Sequence, residues 1–121
     1  MGKRVLAVDD SKTMRDMVAF TLKREGFEVV EAEDGVAAIE ASKGGDFDLV
    51  ISDVNMPRMD GITLIGSLRQ NPKFRATPML ILTTEADQQK KAAGKAAGAT
   101  GWIVKPFDPT QLVDVVRRVC R

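Results

Sequence analysis

Three aspartates in this sequence follow short apolar runs, so each would stand where a buried strand ends. Asp9 and Asp10 come directly after the run Val5 to Val8. Asp53 comes soon after the run Leu49 to Ile51, at the start of the stretch DVNMPRMD. Carboxylates in such places can act as nucleophiles or bind hard metal ions. These acids are therefore the first candidates for chemistry in the chain.

The apolar pattern predicts the elements that would position these acids. Five short apolar runs predict five strands, at Val5 to Val8, Phe27 to Val30, Leu49 to Ile51, Met79 to Leu82 and Trp102 to Val104. Apolar residues at helical spacing lie between or after these runs, as in Met14, Met17, Val18 and Leu22, and again in Leu112, Val115, Val116 and Val119. Strands and helices therefore alternate along the chain.

Cap and stop residues mark the ends of the predicted helices. Gly26 can end the first helix, and a second helix fits Val36 to Ser42. Asp60 can cap the third, and Asp108, which a proline follows, can cap the fifth. The fourth, over residues 87–98, contains two glycines. Because glycine weakens a helix, we expect that helix to be the least firmly packed.

Five alternations of strand and helix predict an α/β domain with right-handed crossovers and a parallel sheet covered on both faces. The carboxyl ends of parallel strands lie along one edge of the sheet. That edge would bring together Asp9 and Asp10 after the first strand, Asp53 after the third, Thr83 after the fourth and Lys105 after the fifth.

Carboxylates collected at one edge would repel each other. Adjacent strands lie about 4.8 Å apart, so the acids can converge if the first and third strands are neighbours. Two carboxylates at about 4 Å repel by roughly 4 kcal/mol at an effective dielectric of about 20, so three demand a cation or a proton. Mg²⁺ meets that demand, since it prefers oxygen ligands. The alternative is that these acids are solvated or cap helices, with Asp10 or Ser11 capping the first helix.

Composition excludes several other classes of function. The 121 residues are 44% hydrophobic and 29% charged, as in one globular domain. A total of 18 Lys and Arg against 17 acids gives no basic field for nucleic acid. The absence of histidine excludes His-ligated metals and Ser-His-Asp triads within the chain. With Cys120 as the single cysteine and no apolar run of membrane-spanning length, we expect a cytoplasmic protein that does not contact membranes.

Four motifs in order make the sequence resemble the CheY-type response-regulator receiver family over essentially its whole length. They are VDD at Val8 to Asp10, DVNMPRMDG at Asp53 to Gly61, LTTE at Leu82 to Glu85 and GWIVKPF at Gly101 to Phe107. The resemblance implies a flavodoxin-like (βα)5 doubly wound parallel sheet with strand order 2-1-3-4-5. It also implies a single receiver domain over residues 1–121 with no output domain, so that its output is binding.

The resemblance assigns roles to the residues at the acidic edge. It implies that Asp53 is the phosphoacceptor, whose carboxylate takes a phosphoryl group from a histidine of a partner kinase. Asp10, Asp53 and the backbone carbonyl of Asn55 would bind Mg²⁺, with Asp9 nearby through metal-bound water. Lys105 would be the counter-ion of Asp53 and later of a phosphoryl oxygen.

The same resemblance identifies a switch. The hydroxyl of Thr83 would donate to a phosphoryl oxygen and draw its loop toward the site. Trp102 stands where the family usually has Tyr or Phe as a rotating aromatic, and it lacks the phenolic hydroxyl. A cis peptide bond between Lys105 and Pro106 would aim the lysine inward.

The family also suggests partners. The phosphodonor would be a CheA-like histidine kinase, and the face of the fourth helix, fifth strand and fifth helix would be the output face, around Lys91, Lys95, Trp102 and Arg118. A monomer would use this face to bind a FliM-like flagellar motor switch protein or another phosphorylation-dependent target. A phosphatase is a further expected partner.

Other functions compete with this interpretation. Asn55 and Glu85 would modulate dephosphorylation, so we expect the chain to assist its own phosphorylation and dephosphorylation without being an enzyme. A phosphorelay carrier or a cell-cycle or kinase regulator is the main alternative. A phosphatase that uses Asp53 would want a cap domain, for which 121 residues leave no room. A flavin protein would want a phosphate-binding loop where DDSKT places acids.

Overall fold

The structure is a computed structural model that describes residues 3–83 and 88–120. Along these residues the strands are β1 (Arg4–Val8), β2 (Glu28–Ala32), β3 (Leu49–Asp53), β4 (Met79–Thr83) and β5 (Gly101–Val104). The helices are α1 (Lys12–Arg24), α2 (Gly35–Ser42), α3 (Gly61–Arg69), α4 (Gln88–Ala97) and α5 (Pro109–Val119). A one-turn 3₁₀ helix at Pro72–Phe74, which the apolar pattern does not predict, lies between α3 and β4.

The five strands form one parallel sheet in the order β2-β1-β3-β4-β5, which confirms the predicted topology. β2, which carries Glu28 and Glu31 among its five residues, is an edge strand. β1, β3 and β4 lie inside the sheet and are almost continuously buried, as strands covered on both faces should be. Their carboxyl ends therefore meet at the centre of one edge.

The two faces of the sheet carry separate apolar cores. On one face, side chains such as Leu6 and Val50 pack with α2 and α3, and the partly buried Ala97 of α4 joins them. On the other face, Val5 and Ile51 pack with α1 and α5. Alternate residues of each strand point to opposite faces, so a single strand serves both cores. No helix within 3–83 or 88–120 has the length and apolar character that a membrane span requires.

Side-chain caps begin the helices where the sequence places polar residues. Ser11, and not Asp10, caps α1 by accepting the Met14 N–H. Asp60 caps α3, and Asp108 caps α5 in a reciprocal capping box with Gln111. The Asp10 carboxylate is therefore left for the edge of the sheet.

The two glycines of the α4 region have different roles. Gly94 is buried, and a Cβ atom there would lie 2.6 Å from Cδ1 of Ile81. Its lack of a side chain lets α4 approach β4 closely, so the interior glycine is a packing contact. Gly98 follows the helix with φ +114°, a conformation that favours glycine and ends helices.

Candidate functional site

The predicted site residues stand at the carboxyl ends of four strands. Asp9 follows β1, Asp53 is the last residue of β3, Thr83 is the last residue of β4, and Lys105 follows β5. Thr83 is buried, and its carbonyl accepts the Lys105 N–H at 2.6 Å. The parallel sheet therefore brings these four residues to one edge.

Three carboxylates converge there. One oxygen from each of Asp9, Asp10 and Asp53 lies within 4.8 Å of the other two. Asp9 and Asp53 are buried, at 3% and 8% exposure, whereas Asp10 is exposed. The cluster is an oxygen-only donor set that is open on the side of Asp10, and it is suited to a hard divalent cation.

The ammonium group of Lys105 lies between two of these acids. Its Nζ atom is 3.1 Å from Oδ1 of Asp53 and 3.3 Å from Oδ2 of Asp9. The lysine side chain is only 11% exposed, so these contacts are poorly screened by water. The peptide bond that joins Lys105 to Pro106 is cis. The Lys105 ammonium group thus contacts two of the three acids.

The charge balance of the cluster shows in the pKa of Asp53. Burial is the largest influence and raises that pKa above its ordinary value of 3.8. Lys105 acts in the opposite direction, while the neighbouring charge of Asp9 raises the pKa further. The ionised Asp53 is therefore less stable than an exposed aspartate, and a further cation would stabilise it.

Arg15 and Ser11 hold the loop that carries Asp9. The Ser11 N–H donates to Oδ1 of Asp9 at 2.9 Å, and Nη1 of Arg15 donates to the Asp9 carbonyl oxygen at 2.6 Å. Nε of Arg15 also lies 3.4 Å from a carboxylate oxygen of Glu31 on β2. Arg15 is not predicted as a site residue from the sequence, because an arginine on the first turns of a helix is usually a surface residue.

The main chain of Asp53 packs directly against the start of α3. The Asp53 carbonyl accepts the buried Ser52 hydroxyl at 2.9 Å, and the Gly61 N–H donates to the Val54 carbonyl at 2.9 Å. A Cβ atom at Gly61 would lie 2.1 Å from the Asp53 carbonyl oxygen, which is an overlap with backbone. Glycine is therefore required here, a role that sequence reasoning did not assign.

The residues predicted for the output face are exposed or half-buried. Trp102 is 36% exposed, and the Lys91 Nζ lies 5.0 Å from the centre of its ring, which is a cation–π geometry. Lys95 and Arg118 are exposed. A cavity of about 10 Å³ lies between the ring and Thr83, enough for about one water molecule but not for an indole. The Trp102 ring could turn inward only if its neighbours moved.

Of the two residues predicted to modulate dephosphorylation, Asn55 and Glu85, the structure describes only Asn55. Asn55 is exposed, and its Oδ1 atom accepts a hydrogen bond from Nζ of Lys90 on α4 at 3.3 Å. The metal-binding role of its backbone carbonyl stays a prediction. Glu85 lies outside the described residues.

Comparisons with known proteins agree with this geometry. The family model for the response regulator receiver domain matches residues 5–117. The chain is 38% identical over 117 residues to chemotaxis protein CheY-3 of Vibrio cholerae, covering 96% of this chain and 90% of that protein. It is 40% identical over 111 residues to CheY1 of Helicobacter pylori, covering 90% of each.

A solved structure agrees with these sequence relatives. The chemotaxis response regulator CheY4 of Vibrio cholerae is 47% identical and superposes with a TM-score of 0.94, covering 98% of this chain and 99% of that one. The sequence, the sheet topology and the site geometry are thus all those of receiver domains. The chain therefore belongs to the response regulator receiver domain family, among the CheY-type response regulators of two-component signalling.

Proposed function

We propose that this chain is a phosphorylation switch in which Asp53 accepts a phosphoryl group from a CheA-like histidine kinase. The observation that carries the proposal is the convergence of Asp9, Asp10 and Asp53 with Lys105 at one edge of the sheet. In this proposal residues 1–121 act as one receiver domain whose output is binding. The similarity to CheY proteins supports a role in chemotaxis.

Asp53 is the nucleophile of the proposed reaction. A carboxylate oxygen of Asp53 attacks the phosphorus atom of the kinase phosphohistidine, a P–O bond forms, and the P–N bond breaks. The imidazole leaves with the bonding electron pair and takes up a proton. Lys105, already 3.1 Å from Oδ1 of Asp53, pairs with the phosphoryl oxygens as negative charge builds there.

The donor set of the cluster fits Mg²⁺. The ligands would be carboxylate oxygens of Asp10 and Asp53 together with the Asn55 carbonyl, with Asp9 reaching the ion through water. When bound, Mg²⁺ would neutralise phosphoryl charge and help to align the donor. Within the described residues Lys105 pairs with two of the three acids, so negative charge remains at the site for a divalent cation to neutralise.

The switch would run from Thr83 to the output face. A phosphoryl group on Asp53 accepts a hydrogen bond from the Thr83 hydroxyl, and the end of β4 moves toward the site. Because the cavity beside Trp102 is only about 10 Å³, such movement has to displace the ring or the lysines that flank it. Lys91, Lys95 and Arg118 then present a changed basic surface to a target of the FliM-like motor switch type.

Intact-mass measurement tests the phosphoacceptor. With Mg²⁺ and a small acyl phosphate as donor, the wild-type protein should gain the mass of one phosphoryl group, and Asp53→Asn should gain none. Asp16→Asn is the matched control, since Asp16 is an exposed partner of Lys12 on α1, and it should be labelled like the wild type. Equal labelling of Asp53→Asn would overturn the assignment.

Binding measurements test the target. The phosphorylated protein should bind a motor-switch peptide more tightly than the unmodified protein, and Lys95→Glu should weaken this binding. Lys43→Glu is the control, because Lys43 is an exposed lysine at the end of α2, away from the output face. If the phosphoprotein ignores the peptide and returns its phosphate to a histidine phosphotransfer domain, the relay function replaces the chemotaxis function.

A further inference from the structure

Arg58, in the loop between β3 and α3, has an unusual backbone. Its φ angle is +67°, and it is the one non-glycine residue with positive φ within 3–83 and 88–120. The Met59 N–H donates to the Pro57 carbonyl at 2.7 Å, so Arg58 is the centre of a tight three-residue turn. Side-chain-bearing residues rarely adopt this conformation, so surrounding contacts must hold the turn.

The Arg58 guanidinium holds the turn against α2. Its Nε and Nη2 atoms lie 2.9 and 2.7 Å from Oδ2 of Asp34, while Oδ1 of Asp34 accepts the Ala37 N–H at 2.8 Å. The Asp34 side chain is 6% exposed. The Ala37 N–H and the Arg58 side chain lower the pKa of Asp34 below its ordinary value. One carboxylate therefore caps α2 and anchors the loop.

Apolar contact reinforces this anchor. Met59 packs on Gly35 so closely that a Cβ atom at Gly35 would lie 2.6 Å from the Met59 Cβ and 2.7 Å from the Met59 carbonyl oxygen. Gly35 is the first residue of α2 and directly follows Asp34. The start of α2 thus packs closely against the middle of the loop between β3 and α3.

The anchored loop is the one that presents Asp53 and Asn55. Its start is fixed by β3, and its end is fixed where the Gly61 N–H donates to the Val54 carbonyl. Asn55 lies three residues before Arg58, so the placement of its carbonyl depends on where the turn is held. We propose that Arg58 and Asp34 are positioning residues, which hold this loop so that the Asn55 carbonyl can complete the metal site; the inference rests on the proposed function.

Mg²⁺ titration calorimetry tests this role. Arg58→Gly removes the guanidinium but suits a positive φ, and Asp34→Asn keeps an oxygen to cap α2 but loses the charge. Each should weaken Mg²⁺ binding by about tenfold, at the lower end of what loss of supporting contacts does in metal sites. The double variant should bind Mg²⁺ about as weakly as either single variant, because the two residues act through one contact. Arg75→Ala, which removes an exposed arginine beyond the 3₁₀ helix, should bind Mg²⁺ like the wild type.

Two readouts separate positioning from general loss of stability. Metal-free Arg58→Gly should melt only modestly below the wild type, since glycine relieves the backbone strain while Asp34 keeps the Ala37 N–H but loses its cation. Its labelling by a small acyl phosphate should be slow at limiting Mg²⁺ and recover at saturating Mg²⁺. Arg58→Lys, which keeps the charge without the planar fork, should bind Mg²⁺ with intermediate affinity.

The outcomes distinguish this inference from the proposed function. Wild-type Mg²⁺ affinity in both single variants, or additive losses in the double variant, would overturn the positioning role while leaving Asp53 labelling intact. If the wild-type protein itself shows no Mg²⁺-dependent labelling, the proposed function fails first and the inference fails with it.

Discussion

Asp34 and Asp53 are two buried carboxylates at the same edge of the sheet, and their surroundings have opposite effects. Asp34 follows β2, accepts a backbone N–H and two guanidinium contacts, and has a lowered pKa. Asp53 ends β3, faces two other acids and one lysine, and has a raised pKa. The fold stabilises the charge of Asp34 and leaves that of Asp53 incompletely compensated.

The difference separates a structural acid from a reactive one. The partners of Asp34 are all within the chain, so its stabilisation does not depend on a ligand. The partners of Asp53 are too few for the charge at the site, so it gains stability from a cation or from reaction. Burial alone therefore does not identify the functional residue, whereas burial with an incomplete set of partners does.

The largest effect on stability should come from the cation that the acids share. Lys105→Met leaves Asp9 and Asp53, whose side chains are 4% and 11% exposed, without a positive partner. We expect the free energy of unfolding of the metal-free protein to fall by about 3 kcal/mol in urea denaturation. Added Mg²⁺ should restore much of this loss by binding the folded state.

Lys43→Met is the control for this experiment. Lys43 forms an exposed pair with Glu40 at 3.4 Å, and such pairs contribute about 0–1 kcal/mol. Metal-free stability should be nearly unchanged. An equal loss in the two variants would mean that the acids at the sheet edge are not held by Lys105.

The next largest effect should come from Asp34→Ala. This change removes the α2 cap and leaves Arg58 without its partner, so we expect the melting temperature to fall by about 5–10 °C. Mg²⁺ should recover little of it, in contrast to Lys105→Met. Asp60→Ala, which removes the cap of α3 without breaking an arginine pair, should cost about half as much. Full rescue of Asp34→Ala by Mg²⁺ would abolish the distinction between the two acids.

Asp53→Asn should have a smaller effect of opposite sign. The amide removes a charge that burial and Asp9 disfavour, so the metal-free variant should melt above the wild type. Differential scanning calorimetry without Mg²⁺ measures this shift. A loss of stability as large as that of Asp34→Ala would show that Lys105 fully compensates Asp53.

The smallest effect is a difference in pH dependence. Because the folded-state pKa of Asp53 is raised, its protonation stabilises the fold, and this contribution is lost as pH rises through that pKa. The pKa of Asp34 is lowered, so its contribution is present above about pH 3.8 and is lost as pH falls through the folded-state value. On acidification, the melting temperatures of wild type and Asp53→Asn should converge before those of wild type and Asp34→Asn. If the Asp34→Asn curve converged with wild type first, the raised pKa of Asp53 and the lowered pKa of Asp34 would both be contradicted.

The fold and the centre of the site could be predicted because their signals are local. Apolar runs that end in Asp53, Thr83 or Lys105 fix which side chains stand at strand ends, and parallel pairing then gathers them. Asp60 and Asp108 predict the starts of α3 and α5 from their residue type and position alone. The roles assigned to these residues came from family resemblance, since spacing by itself does not distinguish a metal site from helix caps.

The supporting contacts could not be predicted, because each depends on two distant parts of the chain. Arg58 and Asp34 are 24 residues apart, and nothing near Arg58 in sequence indicates a positive φ. By its type alone Gly94 predicts a weak point in α4, whereas in the structure it allows α4 to approach Ile81 on β4. Such contacts arise from tertiary packing, which overrides local propensity.

Gly61 shows what this packing means for the tolerance of the sequence to change. Its α-carbon faces the carbonyl of the nucleophile with no room for a methyl group, so even alanine would push Asp53 out of register with Lys105. In a saturation screen scored by signalling in living cells, position 61 should be as intolerant as position 53. Intolerance at position 53 would reflect the chemistry of the carboxylate. Intolerance at position 61 would reflect a close main-chain contact that leaves no room for any side chain.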